Sequence, residues 1–141
     1  MHFAPTAIAI GAVLAIAAAI YARAVGLDRE RAFYTTVLCI VGLFYGLFTV
    51  VAGVAAAWED GWWRTLALES TAIAAFFVLA ALGFRRSQWI IVAGLAAHGV
   101  YDVFHHHLID NPGIPHWWPA FCASYDLTAA ACLAVLIRSR R

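Results

Sequence analysis

Five long apolar runs constrain this chain more than any other feature of its sequence. Each run has about the 20 residues that an α-helix needs to cross ~30 Å of bilayer hydrocarbon. Helices are the expected form because a backbone inside lipid must satisfy its own hydrogen bonds. The sequence therefore predicts an all-α, polytopic integral membrane protein, a bundle of five transmembrane helices that forms one domain over residues 1–141. The predicted spans are residues 4–22, 33–57, 66–84, 89–108 and 118–137.

The composition supports a membrane protein and argues against several soluble classes. Hydrophobic residues make up 65% of the chain and charged residues 12%, with a mean hydropathy of +0.83. A soluble domain carries about 25% charged residues, so this chain has too few to cover a water-facing surface. The net charge of +1 and the lack of a basic stripe argue against nucleic acid as a partner. Cys39, Cys122 and Cys132 lie in apolar runs without a CxxC motif, which predicts packing residues rather than disulfides.

Arginines alternate between the predicted loops and so predict the orientation of the bundle. The first loop, the third loop and the C-terminus carry most of them, whereas residues 109–117 include no Lys or Arg. By the positive-inside rule, the N-terminus then lies outside and the C-terminus in the cytoplasm. The expected location is the cell membrane, as a multi-pass protein, or the bacterial inner membrane if the source is prokaryotic. An aromatic belt at the outer interface is predicted from Trp58, Trp62, Trp63, Trp117 and Trp118.

The fourth span carries most of the histidines. His98, Asp102 and His105 follow i, i+4, i+7 spacing, which places them on one face of a helix, and His106 lies beside them. Along the helix axis, His98 is about 15 Å from Gln88, near the middle of the bilayer. A charged side chain at that depth costs at least ~2.5–3.5 kcal/mol, so ionisable residues there indicate a functional site.

Other spans bring acids and hydroxyls to the same level. Glu69 lies near the outer end of the third span, and Tyr45 lies within the apolar run of the second. In the fifth span, Cys122, Tyr125 and Asp126 have i, i+3, i+4 spacing and so share one helix face. All of these residues fall in the outer half of the predicted membrane. The sequence therefore predicts a polar site that faces the outside or the periplasm.

Imidazole and carboxylate side chains together are typical ligands of transition metals. We expect a divalent transition metal, zinc or iron, with Glu69, Asp126 and Tyr125 as catalytic residues. A metal-free polar network that holds the helices together is the alternative, and the sequence leaves it open. The predicted metal ligands are His98, Asp102, His105, His106 and His116.

The segment that leads into the fifth span and the first turn of that span are rich in proline. Pro112, Pro115 and Pro119 each fix the backbone dihedral φ, and residues 111–113 are typical of a turn. We expect a rigid cap over the mouth between the fourth and fifth spans, with His116 at its edge as a further ligand.

Three functions fit these features. The first is an intramembrane metal-dependent enzyme, a hydrolase or an oxidoreductase, that acts on a lipid or another apolar substrate. The second is a proton or metal-ion transporter or relay, although the inner halves of the spans carry few polar groups to continue the path. The third is a non-catalytic membrane subunit or a haem-binding protein with His98 as axial ligand. The lipid bilayer is the expected partner, and assembly into a homo-oligomer stays open.

Overall fold

Long helices with short connections account for nearly all of the chain that the structure describes. The computed structural model describes residues 5–55 and 62–140, with residues 27 and 28 as backbone only. Within these residues the fold is all-helical, as predicted. The helices are α1 (Pro5–Ala24), α2 (Leu27–Ala55), α3 (Trp62–Arg85), α4 (Gln88–Leu108) and α5 (Trp118–Arg138).

Two helices begin well before the apolar runs that predicted them. α2 begins at Leu27 rather than at residue 33, and α3 begins at Trp62 rather than at residue 66. Hydropathy marks only the part of a helix that suits hydrocarbon, whereas helical hydrogen bonding continues through charged residues such as Arg29 and Arg31. The predicted end of the second span and Trp58 of the aromatic belt lie outside the described residues.

Successive helices of the described chain run in opposite directions. Glu69, near the start of α3, contacts His105, near the end of α4. Gly83, near the end of α3, packs against Ile91, near the start of α4. α1 packs mainly along α5, and α4 packs against α2, α3 and α5. α4 therefore lies at the centre of the bundle.

Four helices of the described chain, α1, α2, α3 and α5, are long and apolar enough to cross a membrane. α4 has 21 residues, which is sufficient length, but its aspartate and histidines lower its mean hydropathy. The structure buries His98, Asp102 and His105 of α4 against the other helices. The residues of α4 that stay exposed before His106 are all apolar, namely Ala93, Ala97, Val100 and Phe104. α4 thus has a polar inner face and an apolar outer face.

Glycines allow two close helix contacts in the half of the bundle that adjoins residues 109–117, which we call the outer half. A Cβ atom added to Gly11 of α1 would lie 2.4 Å from the carbonyl oxygen of Phe121 in α5. A Cβ added to Gly99 of α4 would lie 3.2 Å from the carbonyl oxygen of Ala123, also in α5. Because small residues let membrane helices approach closely, α5 is held tightly between α1 and α4.

The opposite, inner half of the bundle has an apolar core with a half-buried ion pair at its end. Leu38, Leu95 and Leu133 are fully buried in this core. Beyond them, Glu30 in the first turns of α2 is also fully buried and forms an ion pair with Arg140. This pair joins the start of α2 to the end of α5.

The segment between α4 and α5 folds over the outer ends of α2 and α3. Asn111 Nδ2 donates hydrogen bonds to Thr49 Oγ1 and to Glu69 Oε1, both at 2.8 Å. Gly113 packs so closely on α2 that an added Cβ would lie 2.7 Å from the carbonyl oxygen of Phe48. The expected cap is therefore displaced toward α2 and α3, because the Asn111 amide finds its hydrogen-bond partners there.

Candidate metal centre

The centre is formed by two turns of α4 and one facing turn of α5. His98 and Asp102 are one helical turn apart on the buried face of α4. Asp126 faces them from α5, at a position that the close contact of Gly99 with Ala123 brings near α4. All three ionisable side chains are fully buried.

The distances within this group are of the scale that a metal ion requires. His98 Nδ1 lies 2.7 Å from Asp126 Oδ2 and 3.4 Å from Asp102 Oδ2. One ligand atom from each residue lies within 4.8 Å of the others, which is close enough to hold an ion. Ligands bonded at about 2.0–2.2 Å in a tetrahedron lie about 3.3–3.6 Å apart, so the group fits after a small opening of the shorter contact. Within residues 5–55 and 62–140, no other group of three such residues meets this criterion.

Three buried polar atoms of the group have no hydrogen-bond partner in the described chain. They are His98 Nε2, Asp102 Oδ2 and Asp126 Oδ1. Leaving a buried polar atom unpaired costs about 1–3 kcal/mol, and more when the group is charged. Such atoms call for an explanation, and a cation between the two carboxylates would supply a partner for their oxygens.

Neighbouring aromatic side chains fix the positions of these ligands. Tyr45 of α2 donates its hydroxyl hydrogen to Asp102 Oδ1 at 2.7 Å. Phe76 of α3 places its ring edge against the imidazole of His98, with the ring centroids 4.7 Å apart. Hydrogen bonds and packing of this kind orient metal ligands and tune their affinity.

A second polar cluster lies one to two turns further toward the outer end of α4. Glu69 Oε1 is 2.9 Å from His105 Nε2 and accepts a hydrogen bond from Asn111 at 2.8 Å. Tyr101 donates its hydroxyl hydrogen to the other carboxylate oxygen, Glu69 Oε2, at 3.2 Å. Both carboxylate oxygens therefore have partners, whereas Asp102 and Asp126 each have one oxygen without a partner in the described chain. The ring of Tyr45 stacks on that of His105, 4.0 Å between centroids, and so lies between the two clusters.

The remaining predicted ligands lie further out. His106 and His116 are exposed and line a cavity of about 350 Å³ under the segment between α4 and α5. His105 lines the same cavity from its buried position. Of the five predicted ligands, the structure brings His98 and Asp102 together at the centre, and it places the other three outside it.

The predicted catalytic residues occupy three different places. Asp126 belongs to the candidate metal centre, and Glu69 belongs to the outer cluster. Tyr125 is half-buried beside Cys122, in the wall of an apolar groove. Its hydroxyl makes no hydrogen bond within the described chain, so it stays available to a bound molecule.

Two contributors to the site are hard to find by helix spacing. Asn111 lies beyond the end of α4, so the spacing of polar residues along that helix does not predict its role. The turn predicted at residues 111–113 is the only sequence feature that points to it. Tyr45 stands alone in an apolar run, where a tyrosine is as often a packing residue. Its role depends on the distance to Asp102, which the spacing along α2 does not contain.

The arrangement offers a buried set of anionic and imidazole ligands, with a satisfied His–Glu pair between it and the outer cavity. Such a ligand set suits zinc, iron or manganese. No protein-family model, curated protein or solved structure matches this chain, so its function must be inferred from the geometry alone.

Proposed function

We propose that this protein is an intramembrane metal-dependent enzyme with a centre formed by His98, Asp102 and Asp126, and that it acts on a lipid or another apolar molecule. The metal is zinc or iron, and the reaction is a hydrolysis or an oxidation–reduction. The two buried carboxylate oxygens without a partner in the described chain, Asp102 Oδ2 and Asp126 Oδ1, carry this proposal.

The cost of burying this group supports a function. Removing two carboxylates from water costs several kcal/mol for each ion, even after the protein relaxes. One imidazolium balances one carboxylate, so the second must be either protonated or paired with a further cation. A divalent cation would balance the two carboxylates and give them the attraction that offsets their desolvation.

The polar buried face and the apolar exposed face of α4 support five membrane spans. Its exposed stripe, for which Val100 and Phe104 are examples, is apolar and suits lipid, while its ionisable residues are covered by protein. Together with the alternating helix directions, this pattern fits five crossings. The arginine distribution would then place the N-terminus outside and the polar clusters in the outer half of the bilayer.

The outer cluster supports a catalytic rather than a purely structural site. A bound divalent metal supplies Lewis-acid chemistry and lowers the pKa of a bound water. His105 and Glu69 form a buried imidazole–carboxylate pair between the metal centre and the outer cavity. Such a pair is suited to accept and return a proton, and the cavity gives it contact with water.

Elemental analysis of the purified protein tests the metal centre. After incubation with zinc or iron(II) and removal of excess metal, we expect about one ion per chain. Asp102→Asn and Asp126→Asn should each weaken metal binding by more than about 100-fold, the upper end of the effect of altering groups that only support ligands. His107→Ala is the matched control, because His107 is exposed on the same helix and outside the group.

The same variants test whether the centre is catalytic. Wild-type protein is incubated with a total membrane lipid extract, and the extract is compared by mass spectrometry with one treated with Asp102→Asn protein. We expect a lipid-soluble compound that only metal-loaded wild-type and His107→Ala proteins consume. Absence of stoichiometric metal in the wild type, or equal metal in the double variant of Asp102 and Asp126, would contradict the proposal.

A proton or metal-ion relay is the second candidate, and Glu30 is the observation that favours it. This buried acid lies in the first turns of α2 and places a polar group at the inner end of the bundle. Against it, the fully buried Leu38, Leu95 and Leu133 separate Glu30 from the metal centre. Flux measured in liposomes should therefore be absent, and uptake that depends on both Glu30 and Asp102 would make the relay the better candidate.

A further inference from the structure

A large apolar groove runs along the outer half of the bundle between α1, α2 and α5. Its volume is about 770 Å³, within the range of sites that bind small molecules. α1 packs on α5 but touches α2 only lightly, so a gap remains between α1 and α2. The walls include Ile10 of α1, Val41 and Phe44 of α2, and Trp118 and Phe121 of α5.

The surroundings of the groove determine what can fill it. α1, α2 and α5 are all apolar enough to cross a membrane, so the groove lies at the depth of lipid hydrocarbon. Ile10 and Ile40 line the groove and are still 54% and 48% exposed, which means that its mouth opens sideways. Water is disfavoured against such a lining, whereas a hydrocarbon chain gains dispersion contacts along its whole length.

The floor of the groove adjoins the metal centre. Cys122 lines the groove and is nevertheless buried to 2% exposure. It lies one turn from Asp126 on the same face of α5, and it is also close to Asp102. One buried thiol therefore separates the groove from the ligand group. Tyr125 stands beside it with a hydroxyl that has no hydrogen-bond partner in the described chain.

The depth of this floor limits the part of a lipid that can reach the centre. Trp117 is exposed at the outer start of α5, where a tryptophan suits the level of the lipid headgroups. Cys122 lies four residues below Trp118, or about 6 Å along the axis, and Asp126 lies eight residues below it, or about 12 Å. A headgroup held at the interface would thus remain about two helical turns above the metal centre.

We propose that the groove binds a single aliphatic chain of the substrate, and that the substrate presents to the metal centre a group within or at the end of that chain rather than its interfacial headgroup. The inference names the substrate class of the site and rests on the proposed function. It excludes the headgroup bonds of an ordinary phospholipid as the point of reaction. A slender lipid whose polar or unsaturated group can descend into hydrocarbon is the class that fits.

Photocrosslinking in lipid nanodiscs tests the inference. The probes are two palmitic acid analogues, one with a diazirine near the middle of the chain and one with a diazirine beside the carboxyl group. We expect the mid-chain probe to label the α5 peptide that contains Cys122 and Tyr125. The carboxyl-proximal probe should label the outer turn of α5, near Trp117 and Trp118.

A matched pair of α1 variants separates the groove from the metal centre. Ile10→Trp places a large side chain in the groove, and Ile8→Trp places the same side chain on the neighbouring lipid-exposed face. Ile10→Trp should lower mid-chain labelling by about tenfold, the change that 1.4 kcal/mol of lost binding produces. The mid-chain probe should label the Ile8→Trp protein to the same extent as the wild type. Both variants should retain wild-type metal content, because neither position touches the ligand group.

Each outcome decides between the two proposals. Equal labelling by both probes, or unchanged labelling of Ile10→Trp protein, overturns the inference even if metal binds. Protection of the groove by a second copy of the chain, seen as a cross-linked dimer, also overturns it. Loss of metal from a wild-type protein that still binds the mid-chain probe in the groove contradicts the proposed function instead.

Discussion

The two polar clusters differ in how completely their atoms are paired. In the outer cluster, His105, Asn111 and Tyr101 together supply a partner for both oxygens of Glu69. In the inner one, Asp102 and Asp126 each retain an oxygen without a partner in the described chain. A fully paired network stabilises a helix bundle, whereas unpaired buried carboxylates destabilise it unless something binds. The contrast therefore supports the proposal that the functional centre is the less satisfied cluster.

Substitutions of Tyr45 and Tyr34 test whether a hydrogen bond to the Asp102 carboxylate stabilises the bundle. Both lie on α2 and are buried to 1% exposure, but only the Tyr45 hydroxyl has a hydrogen-bond partner in the described chain, namely Asp102. Tyr45→Phe should lower the free energy of unfolding by about 1–3 kcal/mol, because a buried acceptor loses its donor. Tyr34→Phe should be neutral or slightly stabilising. Thermal unfolding in one detergent compares them, and equal destabilisation by the two changes would contradict the assigned role of Tyr45.

At the scale of helices, the bundle is organised around α4. Its polar face is covered by α2, α3 and α5, and its apolar face is left exposed, the reverse of a helix on a soluble protein. This arrangement needs neighbours that can approach closely. Gly99 supplies that approach toward α5, and Gly11 supplies it between α1 and α5.

Substitution of Gly11 tests the contact between α1 and α5. Gly11→Leu should destabilise the protein by about 1–3 kcal/mol, since overpacking forces the backbones apart. The Cβ atom of the new side chain alone would lie 2.2 Å from Ser124 Oγ and 2.4 Å from the carbonyl oxygen of Phe121. Ala9→Leu adds a similar side chain on the exposed face of α1 and should have little effect.

The readout for this pair is the midpoint of thermal unfolding, together with far-ultraviolet circular dichroism. Unchanged helix content in both variants would show that α1 itself stays folded. A Gly11→Leu protein as stable as the Ala9→Leu protein would show that α1 does not pack on α5 at this point.

For the whole molecule, the distribution of polar groups along the long axis of the bundle is uneven. The candidate metal centre lies near mid-height of the bundle, and the outer cluster and the cavity under residues 109–117 lie beyond it toward one end. An apolar core and the ion pair of Glu30 with Arg140 occupy the other end. The proposed enzyme would thus take its substrate from the outer leaflet, provided that the arginine-rich end faces the cytoplasm.

Cysteine labelling in intact cells tests this orientation. In a background in which Cys39, Cys122 and Cys132 are replaced by alanine, His116→Cys and Ser139→Cys place single thiols at exposed positions of opposite ends. A membrane-impermeant maleimide should label His116→Cys on intact cells and Ser139→Cys only after permeabilisation. The opposite pattern would reverse the orientation and place the site in the cytoplasmic leaflet.

Local features of the chain were sufficient to predict the helices and one face of the site. Hydropathy predicted α1, α4 and α5 to within two residues, because each of these helices coincides with an apolar run. Helix periodicity also placed His98 and Asp102 on one face of α4, since that relation depends only on the spacing along one helix. The early starts of α2 and α3 were missed because charged residues continue a helix without adding hydropathy.

Relations between helices were decided by the tertiary structure alone. Periodicity grouped His105 and His106 with His98, but the facing helices determine which of them share partners. Glu69 of α3 pairs with His105, whereas Asp126 of α5 pairs with His98. The groove beside the candidate centre also could not be predicted from the sequence, because it arises from the gap between α1 and α2. A single sequence specifies each helix through its own neighbours along the chain, whereas a site between helices depends on distances between residues far apart in sequence.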